Sequence, residues 1–173
     1  MKHGSYFVTG TAGTGKSTVC RELEKRGVAT IDLDGIPGLM TWAHKETGTP
    51  TSPGVELSKE FLASHNWMCD LAVLNKLLAE RPRPVVICGS CDNVLDIMDM
   101  SDQTFILVCE PEIFLPRIAS RTDNEYGKSE AAKNELLGYY EAYRDDCIER
   151  GAVSVDAAES IDAVVDEIQR QIT

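Results

Sequence analysis

Short apolar runs alternate along this chain with stretches whose apolar positions recur every three or four residues. Ser5–Thr9 is a β-rich run that leads into a glycine loop. Lys16–Lys25 then reads as a helix, with Val19 and Leu23 four apart and Gly27 as its stop. Residues 28–33 carry a second strand signal, and residues 55–80 a long helical pattern that breaks near 64–66. Residues 44–54 (HKETGTPTSPG) read as a loop-like insertion. The runs 84–89 (PVVICG) and 104–109 (TFILVC) are apolar almost throughout, as strands buried on both faces are. Between and after them, 93–100 reads as a short helix and 111–121 as a helix opened by Pro111. Residues 129–150 form a long helical pattern with Leu136, Leu137, Tyr140 and Tyr143 on its apolar side. A last strand signal at 152–155 precedes a last helix at 160–172, with Ile161, Val164, Val165 and Ile168 at helical spacing.

Strand signals separated by helices predict an α/β fold, a three-layer sandwich around a mostly parallel five-stranded sheet. No repeat, linker or low-complexity segment interrupts the pattern, so residues 1–173 are expected to form one domain.

Bulk properties narrow the setting. No apolar stretch approaches the roughly 18 residues of a membrane span, so no membrane partner and a cytoplasmic location are expected. A formal charge of −11 argues against a nucleic-acid partner, which asks for a basic face. It does not argue against nucleotides, since backbone dipoles hold phosphates locally. The cysteines at 20, 69, 88, 91, 109 and 147 mostly sit in apolar runs and read as reduced, packed thiols. Cys88 and Cys91 form one CxxC without the second pair a zinc site needs, and a redox pair is the other reading.

The chemistry concentrates in one motif. Gly10-Thr11-Ala12-Gly13-Thr14-Gly15-Lys16-Ser17-Thr18 fits GxxxxGK[ST], placed after a predicted strand and opening a predicted helix. Glycines let consecutive N–H groups face one point, and the helix aims the positive end of its dipole there. Lys16 would neutralise β/γ-phosphate charge and the Ser17 hydroxyl would join a Mg²⁺ shell, which makes ATP and Mg²⁺ the expected cofactors.

With this loop, the compact length and the closing DAAESIDAVVDEI, the chain resembles small P-loop kinases of the adenylate kinase and shikimate kinase type. The resemblance implies an ATP-dependent transfer to a small-molecule hydroxyl, with an acceptor-binding insertion at about 34–80 and a short lid at about 117–130. By the same resemblance Asp32 would serve the metal and Asp34 the acceptor hydroxyl, as possible base. Asp32 and Asp34 could equally cap a strand-to-helix turn. Arg117 and Arg121, four apart, would belong to the lid over ATP, and Asp156 and Ala157 would border the adenine. Gly89, ending a strand, is compatible with an acceptor lying against the backbone.

The acceptor region departs from those kinases. From residue 28 to 80 there is no arginine, although arginine forks suit the acceptor anions of nucleoside monophosphate and shikimate kinases. The segment offers Trp42, His44, His65 and Trp67 with Glu46, Glu56, Glu60 and Asp70. Such a lining points to a neutral or cationic acceptor, for instance a nucleoside, sugar or aminated sugar. Three other readings stay open: a regulatory ATPase without an acceptor, a nucleotide-binding module without turnover, and a nucleoside monophosphate or shikimate kinase variant. A nucleotide and a small-molecule acceptor are the expected partners, and the protein is expected as a monomer or small homo-oligomer.

Overall fold

The structure is a computed structural model and describes residues 4–51, 57–122 and 125–172. Its elements run β1 (Ser5–Thr9), α1 (Lys16–Lys25), β2 (Ala29–Asp32), a 3₁₀ turn (Leu33–Gly35), β3 (Met40–His44) and β4 (Pro50–Thr51). There follow α2 (Lys59–Ser64), β5 (His65–Cys69), α3 (Leu71–Glu80), β6 (Val85–Cys88), α4 (Val94–Met100) and β7 (Gln103–Val108). The chain closes with α5 (Pro111–Ser120), α6 (Glu130–Glu149), β8 (Val153–Asp156) and α7 (Ile161–Gln169). Among the described residues, no helix is long and apolar enough to cross a membrane.

The five-stranded sheet has the order β2-β6-β1-β7-β8, and every pairing in it is parallel. Alternate residues of its central strands feed two separate cores. Tyr6, Val8, Val86, Phe105 and Leu107 pack with side chains of α1, α5 and α7. Phe7, Val85, Ile87 and Ile106 pack with α3, α4 and Cys147 near the end of α6. Burial on both faces is why these strands read as unbroken apolar runs rather than as alternation. Because the strands are parallel, the segments after β1, β2, β6, β7 and β8 all leave at one carboxyl edge, where α/β sheets place their ligands.

A second sheet was not predicted. β4, β3 and β5 form an antiparallel three-stranded sheet, with Trp42 opposite Trp67 and His44 opposite His65. Two expectations are thereby corrected. The helical pattern over 55–80 is α2, then β5, then α3, with residues 55 and 56 outside the described residues. The loop expected over 44–54 starts inside β3, and Pro50–Thr51 pair back on it; residues 52–54 lie outside the described residues. The physical reason is cross-strand pairing. His65-Asn66-Trp67-Met68-Cys69 has no strong intrinsic preference, and its ladder to β3 decides its state.

The segment between β6 and α4 fastens this small sheet to the large one. Trp67 donates its N–H to Asp92 Oδ2 at 2.6 Å, and Asp92 donates its own N–H to the Trp67 carbonyl at 2.8 Å. Next to it, Cys69 N–H donates to Asn93 Oδ1 at 2.9 Å while Asn93 Nδ2 donates to the Cys69 carbonyl at 3.1 Å. Backbone and side chain together extend β5 by an irregular partner strand. Gly89, at the end of β6, faces Leu33: an added Cβ would lie 2.6 Å from that side chain. Close packing therefore accounts for this glycine without an acceptor against its backbone.

Asn93→Ala leaves the buried Cys69 amide and carbonyl without partners. It is expected to lower stability by about 1–3 kcal/mol in equilibrium denaturation. A loss below about 0.5 kcal/mol would show that the small sheet does not depend on this attachment.

Candidate active site

The phosphate loop forms as its sequence requires. Gly10, Gly13 and Gly15 take positive φ values of 147°, 80° and 99°. At two of them space is equally restrictive. A Cβ on Gly10 would stand 2.7 Å from the Leu107 carbonyl oxygen, and one on Gly13 would stand 2.7 Å from that of Phe114. The loop is thus pressed onto β7 on one side and α5 on the other. Within it, Thr14 Oγ1 and Lys16 Nζ both donate to the Thr11 carbonyl at 2.8 Å. Helix α1 begins at Gly15 with no side-chain cap and no acidic residue in its first turn. Its leading N–H groups therefore face the open end of the loop, an arrangement that suits a phosphate.

A cavity of about 790 Å³ opens over this loop. Of the motif, Ala12, Gly13, Gly15, Lys16 and Ser17 line it, while Thr11 and Thr14 are buried and Gly10 and Thr18 are absent from its wall. Burial lowers the Lys16 ammonium to about 8, against the pull of Asp34 and Asp32. This charge is held ready for a phosphate at a desolvation cost.

Asp32 ends β2 and accepts the Asp34 N–H at 3.3 Å, capping the 3₁₀ turn. The capping reading and the functional one therefore coexist, because both carboxylates line the cavity. Burial raises the Asp32 carboxyl, and the neighbouring Asp34 charge raises it further. Arg21, one helical turn beyond Ser17 on α1, also lines the cavity and draws Asp32 the other way. It escaped the sequence reading, although i, i+4 spacing from Ser17 was there to find it.

Arg117 and Arg121 both reach the cavity. Arg117 lies on α5 and donates to the Ala157 carbonyl at 3.0 Å; Arg121 caps the helix end and donates to the Tyr126 carbonyl. Residues 123 and 124 of the expected lid lie outside the described residues. Asp156 and Ala157 are not in the wall: Ala157 is buried, and Asp156 Oδ1 accepts the Ala158 N–H at 2.8 Å.

The far wall differs from expectation. Trp42 and Trp67 line it as a pair, with ring centroids 5.2 Å apart. Neither Glu46, Glu60 nor Asp70 does, and Glu56 lies outside the described residues. Asp70 caps α3, and His44 and His65 pack edge to face at 5.2 Å, also away from the wall. The carboxylates present are Asp92 and Glu135, accompanied by Tyr126, Tyr139 and Tyr143. Glu135, Tyr139 and Tyr143 stand four apart along α6, a spacing legible in the sequence but overshadowed by the apolar positions around it. Of those, Leu136 is buried while Leu137 is exposed, so the apolar side expected for α6 is corrected by one residue. Tyr143 anchors the helix to the end of β1, its hydroxyl 2.7 Å from Thr9 Oγ1.

All six cysteines are buried free thiols. Burial pushes Cys69 and Cys147 up to about 11 and Cys88 well above the ordinary thiol value. Among the described residues no three His, Cys, Asp or Glu converge on a metal position. The Ser17 hydroxyl and the Asp32 carboxylate, two oxygen donors of the kind a magnesium ion takes, line the same cavity.

A family model described as an AAA domain matches residues 7–138. Among solved structures, a gluconokinase from Sinorhizobium meliloti 1021 is 20% identical with a TM-score of 0.56, covering 99% of this chain and 94% of its own. A deoxyadenosine kinase from M. mycoides with bound dATP is 15% identical with a TM-score of 0.57, covering 96% and 98%. A shikimate kinase from Bacteroides thetaiotaomicron is 18% identical, also with a TM-score of 0.57, covering 96% and 97%. No curated protein matches the sequence significantly. These likenesses establish the P-loop kinase fold over nearly the full length of the chain.

The lowered Lys16 gives nucleotide binding a pH signature. A bound phosphate favours the charged ammonium, so Lys16 takes up a proton on binding once the pH exceeds about 8. Affinity for ATP should hold below that pH and fall by up to about tenfold per unit above it. Calorimetry in buffers of different protonation enthalpy should find nearly one proton taken up at about pH 9 by the wild type and none by Lys16→Met.

Proposed function

The chain belongs to the AAA-domain family, and on that premise we propose that it is an ATP-dependent small-molecule kinase acting on the hydroxyl of a neutral or cationic acceptor. The observation that carries this reading is a cavity that joins the phosphate loop, through Asp34, to a wall of aromatic and acidic side chains. A regulatory ATPase needs the first part of this cavity but not the second. The fold shared with gluconokinase, shikimate kinase and deoxyadenosine kinase supports the same reading.

The loop amides and Lys16 hold the triphosphate at the N-terminus of α1. Ser17 and Asp32 are the residues that would hold magnesium, which supplies charge neutralisation at the β- and γ-phosphates. Asp34 orients the acceptor hydroxyl and accepts its proton as the oxygen attacks the γ-phosphorus. The bond from that phosphorus to the β,γ-bridging oxygen breaks, and ADP departs. Arg117 and Arg121, which line the same cavity, would stabilise charge on the transferring group. Arg121 also ties the end of α5 to Tyr126, so a guanidinium of the phosphate side and an aromatic ring of the cavity wall are held together.

ADP release from Mg-ATP, measured with and without candidate acceptors, tests the reading. Stimulation by an acceptor is expected, with turnover lost in Lys16→Ala. In Asp34→Asn, kcat should fall by about 10²–10⁴ with little change in the KM for ATP. Release of ADP that no acceptor alters would overturn the proposal.

A further inference from the structure

Charge is distributed unevenly around the cavity. Its cations are Lys16, Arg21, Arg117 and Arg121. All four belong to the phosphate side: Arg21 lies within 3.5 Å of Thr18 Oγ1 and acts on Asp32, Arg121 acts on Lys16, and Arg117 is tied beside β8. The opposite wall carries Asp92 and Glu135 and, among the described residues, no basic side chain. Neither carboxylate takes part in an ion pair among the described residues. Lys45, whose charge reaches both, donates its ammonium to the Leu62 and Ala63 carbonyls and is absent from the wall.

The existing partners of the two acids leave each with capacity to spare. Asp92 uses Oδ2 for the Trp67 N–H and stays open to the cavity. Glu135 uses Oε2 for the Tyr126 hydroxyl at 2.8 Å. Both line the same cavity, where burial raises both carboxyls and Asp92 raises Glu135 further, so each gains from a positive charge brought beside it. Aromatic rings surround the same space. Trp42 and Trp67 contribute from the small sheet, and Tyr126 and Tyr139, with hydroxyls 3.4 Å apart, from the opposite side. Ring faces favour an organic cation and the apolar edges of a sugar-like ring, and they offer an anion nothing.

We propose that the phosphate acceptor carries a protonated amine, held by Asp92 and Glu135 against these aromatic rings while a hydroxyl of the same molecule reaches Asp34. This rests on the phosphotransferase reading above and narrows its acceptor to a hydroxylated amine, such as an amino sugar. A neutral polyol would bring the two carboxylates no ion-pair partner. A carboxylated or phosphorylated acceptor would be repelled by them.

One scaffold in three charge states separates these cases. Glucosamine, glucose and gluconate are compared as acceptors by kcat/KM for ADP release, with kanamycin as a larger polyamine. The expected result is at least about tenfold preference for glucosamine over glucose, with gluconate lowest. In Glu135→Gln and in Asp92→Asn that ratio should fall toward one. The ratio is blind to general damage, which lowers both terms alike. The Asp92→Asn substitution also keeps a side-chain carbonyl for the Trp67 amide, and Glu135 makes no backbone contact through its carboxylate, so at least one variant retains the fold. Equal or better use of glucose or gluconate would overturn the amine assignment and leave the kinase reading intact. A preference for glucosamine that survives both substitutions would overturn the assignment to these residues. ADP release unaffected by any of the four compounds would overturn both readings together.

Discussion

The chain must lay several backbone amides around one point without letting the loop that carries them collapse, and the rest of the site depends on this. Gly10 and Gly13 solve the problem by contact as well as by torsion, since neither could carry a Cβ beside the carbonyls of Leu107 and Phe114. The loop is seated between a strand and a helix, and the Thr11 carbonyl gathers Thr14 and Lys16 from within. The result is a buried ammonium and an uncapped helix start, both costly alone and both relieved by the same anion.

The second constraint is attachment of the small sheet. This sheet is little more than the β3–β5 pair, because β4 has two residues, and it is held to the large sheet by the residues that follow β6. Asp92 and Asn93 act there as a partner strand made partly of side chains. One of them, Asp92, also faces the cavity. Positioning of the aromatic wall and supply of a carboxylate to it are consequently one structural event, which ties the make-up of this wall to the integrity of the fold.

Long helix α6 contributes in a similar double fashion. Its buried residues Ala132, Leu136 and Cys147 pack on the body, while Glu135, Tyr139 and Tyr143 run along the cavity on an adjoining face. The hydrogen bond from Tyr126 to Glu135 brings the segment after α5 onto this helix. Arg121, Tyr126 and Glu135 are thereby linked in one run of hydrogen bonds along the cavity.

The parallel sheet and the phosphate loop were legible in the sequence because both are written locally. Strands buried on both faces are continuous apolar runs, and a loop that must curl around phosphate needs its glycines, Lys16 and Ser17 in fixed order. Trp42 and Trp67 could also be singled out, since so large an aromatic surface in a polar segment is uncommon. The small sheet was not legible, because His65–Cys69 becomes a strand only by pairing with Met40–His44, from which β4 and α2 separate it along the chain. Nor was the acidic wall. Asp92 and Glu135 are far apart along the chain, and each looks like an ordinary polar residue beside a helix start or on a helix surface. Only the packing of α6 and the β6–α4 segment around one cavity turns them into neighbours. Local chemistry marked where phosphate would sit, and long-range pairing decided what could be brought to it.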